Sequence, residues 1–110
     1  MNISDKKESN ALVVTVSGRL DAVTAPEFEK KLTGFITQGE KTFLINLSGL
    51  EYISSAGLRV ILACAKLLKE QNGKLVFSGL AGHVKEVFLI SGFNGIFAIY
   101  NSDEEGLKGI

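Results

Sequence analysis

Two adjacent hydroxyls, Ser54 and Ser55, stand inside the stretch Ile45-Asn46-Leu47-Ser48-Gly49-Leu50-Glu51-Tyr52-Ile53-Ser54-Ser55-Ala56-Gly57-Leu58-Arg59-Val60. The pattern reads as a buried strand that runs through a polar turn straight into a helix, so both serines fall at the helix N-terminus. Two chemistries are open to them there. A serine at that place can cap the free backbone N–H groups. A serine that accepts a phosphate would instead hold the anion at the positive end of the helix dipole, where it is best tolerated. Serine is a preferred cap, and on sequence physics alone the purely structural reading stands first. Three details pull against it. Two serines occupy a place where one cap suffices. Gly57 weakens the first turn yet gives a macromolecular partner close backbone access. The polar stripe Arg59, Ala63, Lys66 and Glu70 is narrow, with Val60, Cys64 and Leu67 beside it, which leaves an apolar shoulder next to the serines. Either another helix covers that shoulder or a partner docks on it. A phosphate on a serine would add roughly −2 charge at its rim and expel a bound partner without unfolding the domain.

No other constellation competes for chemistry. His83 is the sole histidine and reads as a capping or surface residue at a helix start. Cys64, between Ala63 and Ala65, reads as a small packed residue and not as a reactive thiol. The twelve glycines are dispersed, with neither a dinucleotide fingerprint nor a phosphate loop with its lysine. Catalysis, a metal and a cofactor are therefore not expected. Twelve basic residues balance twelve acidic ones without a basic cluster, which argues against direct nucleic-acid binding. One cysteine, no apolar leader in Met1-Asn2-Ile3-Ser4-Asp5-Lys6-Lys7 and no apolar run long enough to span a bilayer point to a cytoplasmic protein.

The elements that must hold the serines in place follow from periodicity. A chain of 110 residues makes one domain, 1–110, with roughly two-thirds of its unfolded surface buried. A strand near Ile3 to Lys7 should form a hairpin across Glu8 to Asn10 with a second strand. In that strand Leu12, Val14 and Val16 alternate with Val13, Thr15 and Ser17 until Gly18 ends it. Thr24-Ala25-Pro26-Glu27 has the form of a capping box. It opens a helix with Phe28, Leu32, Phe35 and Ile36 on one face, running to about Gln38 and stopped by Gly39. Thr42 to Leu47 should be a strand covered on both faces. After the serines, Leu58, Ile61, Leu62, Ala65 and Leu68 keep helical spacing up to Asn72-Gly73. A strand over Lys74 to Ser78, a helix from about His83 to Ser91, a strand over Ile96 to Tyr100 and a polar tail with at most one helical turn complete the chain. The fold class is α/β: a mostly parallel sheet of four to five strands, an N-terminal antiparallel hairpin and three to four helices.

At these residues the chain resembles the STAS domain family, and within it the bacterial anti-sigma factor antagonists. The resemblance is carried by Ser17-Gly18-Arg19-Leu20-Asp21-Ala22, by Asn46-Leu47-Ser48-Gly49-Leu50-Glu51-Tyr52-Ile53, by Ser54-Ser55-Ala56-Gly57-Leu58 and by Val87-Phe88-Leu89-Ile90-Ser91-Gly92-Phe93. It implies a partner-switching module that, when unphosphorylated, binds an anti-sigma factor of serine-kinase fold and frees the sigma factor. The partner's ATP would supply the phosphate that releases the module, and a metal-dependent serine phosphatase would reset it. The family's switch turn reads Asp-Ser-(Ser or Thr)-Gly-Leu. Aligned on Gly57 and Leu58, it makes Ser55 the acceptor, with Ser54 second, in the aspartate's position, and Ala56 in that of the second hydroxyl. Asp21 matches an acidic residue that engages the kinase, or is simply an exposed turn residue. The partner-binding set is then Asp21, Ser54, Ser55, Gly57, Arg59 and Val60. The other reading is a STAS adaptor subunit of a lipid-transport or signalling assembly that does not switch, with Ser55 only a cap.

Overall fold

A computed structural model describes residues 1–110. Strands β1 (Asn2–Glu8) and β2 (Ala11–Leu20) form the expected antiparallel hairpin, with Glu8 opposite Ala11 and Asn2 opposite Ser17. Gly18 does not end β2. It takes φ +92° between two slips of register, Thr15/Ser17 and Gly18/Arg19, at each of which the neighbouring strand carries one extra residue, and β2 continues to Leu20. Helix α1 (Ala25–Thr37) buries Ala25, Phe28, Leu32 and Ile36, and Gly39, at φ +103°, turns the chain back as expected.

Strand β3 (Thr42–Ile53) lies in the middle of the sheet, and Phe43, Leu44, Ile45 and Leu47 are covered on both faces. The polar turn expected after Leu47 is instead more strand. β2 offers backbone partners here, with Ser17 opposite Gly49 and Leu20 opposite Ile53. Leu50 and Ile53 return to the core while Ser48 and Glu51 face outward. Helix α2 (Ser55–Glu70) then crosses to β4 (Lys74–Ser78), and α3 (Gly82–Ile90) follows. The buried stripe of α2 is Gly57, Val60, Ile61, Cys64 and Leu68, whereas Leu58, Leu62 and Ala65 are half-buried. The stripe is turned toward α1, whose Leu32 and Ile36 meet Cys64 and Leu68.

The last strand is shorter than expected, β5 (Ile99–Tyr100). Phe93 and Phe97 pack edge to face with each other at 5.4 Å, Phe93 packs on Phe88 at 5.3 Å, and Phe97 packs on Phe77 at 5.2 Å. The chain therefore coils through a 3-10 turn, Phe93–Gly95, before it rejoins the sheet. The strand order is β1-β2-β3-β4-β5, parallel from β2 onward. Helices α1, α2 and α3 pack on one face over the main core. The other face carries Val13, Leu44 and Val76 beneath Tyr100, Leu107 and Ile110. The tail is thus more than polar: helix α4 (Asp103–Gly109) closes that face. Asn46 Nδ2 at 2.9 Å and Ser78 Oγ at 2.6 Å both donate to Asp103 Oδ1 and pin the start of α4. No helix is long and apolar enough to cross a membrane.

Candidate phosphorylation and docking site

Parallel pairing brings the ends of β2 and β3 together, so the loop after Leu20 and the turn after Ile53 share one end of the sheet. The Ser54 N–H donates to the Leu20 carbonyl at 2.9 Å, which places Asp21 and Ser54 on adjoining strand ends. Each strand then feeds a helix.

The turn before α1 is closed by side chains, though not by the expected capping box. Thr24 makes no side-chain bond to its own helix. Asp21 Oδ1 accepts from the backbone N–H of Val23 at 3.0 Å and of Thr24 at 3.1 Å. Thr24 Oγ1 accepts from the Asp21 N–H at 2.9 Å and donates to the Arg19 carbonyl at 2.9 Å. The Thr24 N–H is the chief reason that the Asp21 carboxyl is held below its ordinary 3.8. Desolvation opposes it, and the Val23 N–H, the Thr24 hydroxyl and the Arg19 charge reinforce it. Asp21 therefore belongs to a tightly bonded turn.

The start of α2 has no such closure. Ser54 occupies the cap position in extended conformation, φ −102° and ψ 174°, and its carbonyl accepts the first helical bond from Leu58 N–H at 3.1 Å. Its hydroxyl makes no cap bond: Ser54 Oγ is buried with no partner. Ser55 is the first helical residue and is exposed. The capping role read for these serines is filled by neither, so the N–H groups of the first turn have no side-chain acceptor.

Gly57 is not an opening for a partner. It is buried, and a Cβ there would come within 2.8 Å of Leu20 Cγ and 3.0 Å of Ile53 Cγ1. The glycine lets the first turn of α2 lie against the two strand ends, which fixes where Ser55 emerges. Nor is the apolar shoulder wholly free. Val60 is 8% exposed and Cys64 2%, both under α1. Burial, with a smaller contribution from Glu29, pushes the Cys64 thiol up to about 11, in keeping with a packed residue. What stays open is a shallow groove of about 370 Å³ between α1 and α2, with Val60 in its wall and Ala22, Ala56, Glu29 and Arg59 at its edges. The structure thus gathers Asp21, Ser54, Ser55 and Arg59 at one end of the molecule and turns Gly57 and Val60 inward.

Two features escaped the sequence reading. Val23, 86% exposed, projects from the Asp21 turn. An apolar residue in a short polar connection was the signal for it. The second is a stack in which the Arg19 guanidinium lies 4.2 Å from the Tyr52 ring centre, while His83 lies parallel to that ring at 5.0 Å and 4°. Arg19 and Tyr52 are register partners on β2 and β3, and Arg19 Nε also lies 3.7 Å from Asp21 Oδ2. Exposed His83 thereby ties the start of α3 to the strand ends beneath the site.

Comparison with known proteins gives this geometry its family. The STAS domain model matches residues 2–106. The BtrV protein of Bordetella bronchiseptica, whose name assigns it provisionally to the anti-sigma factor antagonists, is 40% identical over 94% of this chain and 90% of its own. The anti-sigma-B factor antagonist of Bacillus subtilis is 30% identical over 98% of both chains. Among solved structures, an anti-sigma factor antagonist from Mycobacterium paratuberculosis superposes with a TM-score of 0.90 at 23% identity, over 99% of this chain and 92% of its own. The chain belongs to the STAS domain family and, within it, to the anti-sigma factor antagonists.

Proposed function

We propose that the protein is a phosphorylation-controlled partner switch acting in the cytoplasm. Unphosphorylated, it docks on an anti-sigma factor of serine-kinase fold through the end of the molecule that carries Val23, Asp21, Ser55 and the groove beside Arg59, and so frees the sigma factor. In the kinase step Ser55 Oγ attacks the γ-phosphorus of ATP held by the partner. The bond to the ADP oxygen breaks, and a base on the partner takes the hydroxyl proton. A metal-dependent serine phosphatase restores the hydroxyl. The chain's own part is that of a binding module and not of a catalyst.

The observation that carries this reading is the unequal treatment of the two serines. Ser54 Oγ is enclosed, while Ser55 is exposed at the first position of a helix whose N–H groups no side chain has claimed. A phosphate on Ser55 meets that positive end, so the fold tolerates it, and its charge falls beside the groove. The test is the affinity of Ser55→Asp for the anti-sigma factor by calorimetry. A loss of about tenfold or more is expected; unchanged affinity would overturn the blocking mechanism.

A further inference from the structure

Far from the serines, α2 borders a second apolar groove that the switch does not use. It lies between the last turns of α2 and the coil before β5, holds about 400 Å³ and is lined by Leu62, Ala65, Leu75, Ile96 and Phe97. That volume is within the range of sites that hold ligands. Ile96 is 62% exposed, although the core, closed by Phe97, has no need of it. Lys66 and Lys69 stand on the lip. Gly73, also in the lining, sits where the Lys74 N–H donates to the Lys41 carbonyl at 2.7 Å, which brings two more lysines to this end. All four lysines are exposed and none is ion-paired; the one acid beside them on α2, Glu70, is exposed too and leaves the cluster positive. Glu40, the nearest acid in sequence to Lys41, is taken by Lys7. In a chain of zero net charge, a positive apolar groove is a local feature with an implied complement.

We infer that this groove docks an acidic amphipathic helix of a second protein partner, with apolar side chains on Leu62, Ala65 and Ile96 and carboxylates on Lys66 and Lys69. A second copy of this chain does not supply that helix. Its own acidic run, Asp103-Glu104-Glu105, is on α4, which is committed to the sheet through Asp103 and Leu107. The lining begins at Leu62, seven residues along α2 from Ser55 or about 10 Å at 1.5 Å per residue, and Lys66 lies about 16 Å along. The groove therefore stays available whether or not Ser55 is phosphorylated, and the domain can be held by one partner while it is switched with another.

The experiment titrates the isotope-labelled full chain with a synthetic Leu/Glu amphipathic helix of about four turns, with the same peptide carrying Lys for Glu, and with phosphatidylglycerol vesicles. Amide shifts at Leu62, Ala65, Lys66 and Ile96 are expected with the acidic peptide alone. Binding should weaken with salt, weaken about tenfold in a Lys66→Glu/Lys69→Glu variant, weaken in Ile96→Ser and stay the same in Ser55→Asp. All the altered groove residues are exposed, so the fold is retained. No binding, shifts confined to the Ser55 end, equal binding of the basic peptide, or binding to vesicles in place of the peptide would each overturn the inference.

Discussion

Helices α1 and α2 start side by side at one end of the sheet, and the turns that lead into them differ. At α1, Asp21 receives the N–H groups of Val23 and Thr24, and Thr24 closes the turn onto Arg19. At α2, the residue in the cap position keeps its hydroxyl buried and unbonded. Neither helix has a side-chain cap, but only the approach to α1 is tied down, and the uncapped start of α2 with exposed Ser55 upon it leaves a positive end with room for an anion. The bonded Asp21 turn fixes one side of the site, and the uncapped start of α2 supplies the place where charge can be added.

The largest test of that contrast is Gly57→Val, which pushes α2 away from Leu20 and Ile53. The clash should cost roughly 2–3 kcal/mol in denaturant unfolding, and stability close to that of the parent would break the account of how Ser55 is placed. Next is Asp21→Ala, which opens the turn before α1 and should lower Tm by a few degrees and weaken anti-sigma binding. The pH dependence has a fixed sign. The folded pKa of Asp21 lies below its ordinary 3.8, so its contribution is present above that value and is lost as pH falls through the folded pKa. The loss of stability on acidification below about pH 4 should therefore be shallower in Asp21→Ala. Ser54→Asp gives α2 the side-chain cap acceptor that neither helix start has. It should add about 0.5–1 kcal/mol, and a loss would mean that the position cannot serve as a cap. The smallest effect belongs to Ser55→Ala, a change within about 0.5 kcal/mol because Ser55 caps nothing; a loss of about 1 kcal/mol would restore the capping role.

The strand and helix order was legible because periodicities of two and of 3.6 are local, as Leu12, Val14 and Val16 show, and because Gly39 and Asn72-Gly73 punctuate them. Long-range partners were not legible. β3 runs on through Ser48-Gly49 because β2 continues past Gly18 to pair with it and β3 absorbs an extra residue at each slip of register. α4 forms where the tail looked polar because Leu107 and Ile110 find Val13, Leu44 and Val76. At the site, the serine pair and Asp21 could be found from their types and place. Gly57 was misread because a glycine in a first turn looks the same in sequence whether it faces a partner or the core. Val60 looked open because α1 packs beside α2 from a distant part of the chain. The Arg19–Tyr52–His83 stack joins three elements and has no local signature at all.

The central claim is tested most directly by incubating the chain with its anti-sigma factor and ATP, locating the phosphate by tandem mass spectrometry and measuring whether the modified chain still binds. A single phosphate on Ser55, absent in Ser55→Ala, with binding lost and the fold intact, is the predicted result. A phosphate on Ser54 or elsewhere, or a Ser55 phosphoprotein that keeps its hold on the anti-sigma factor, would contradict it.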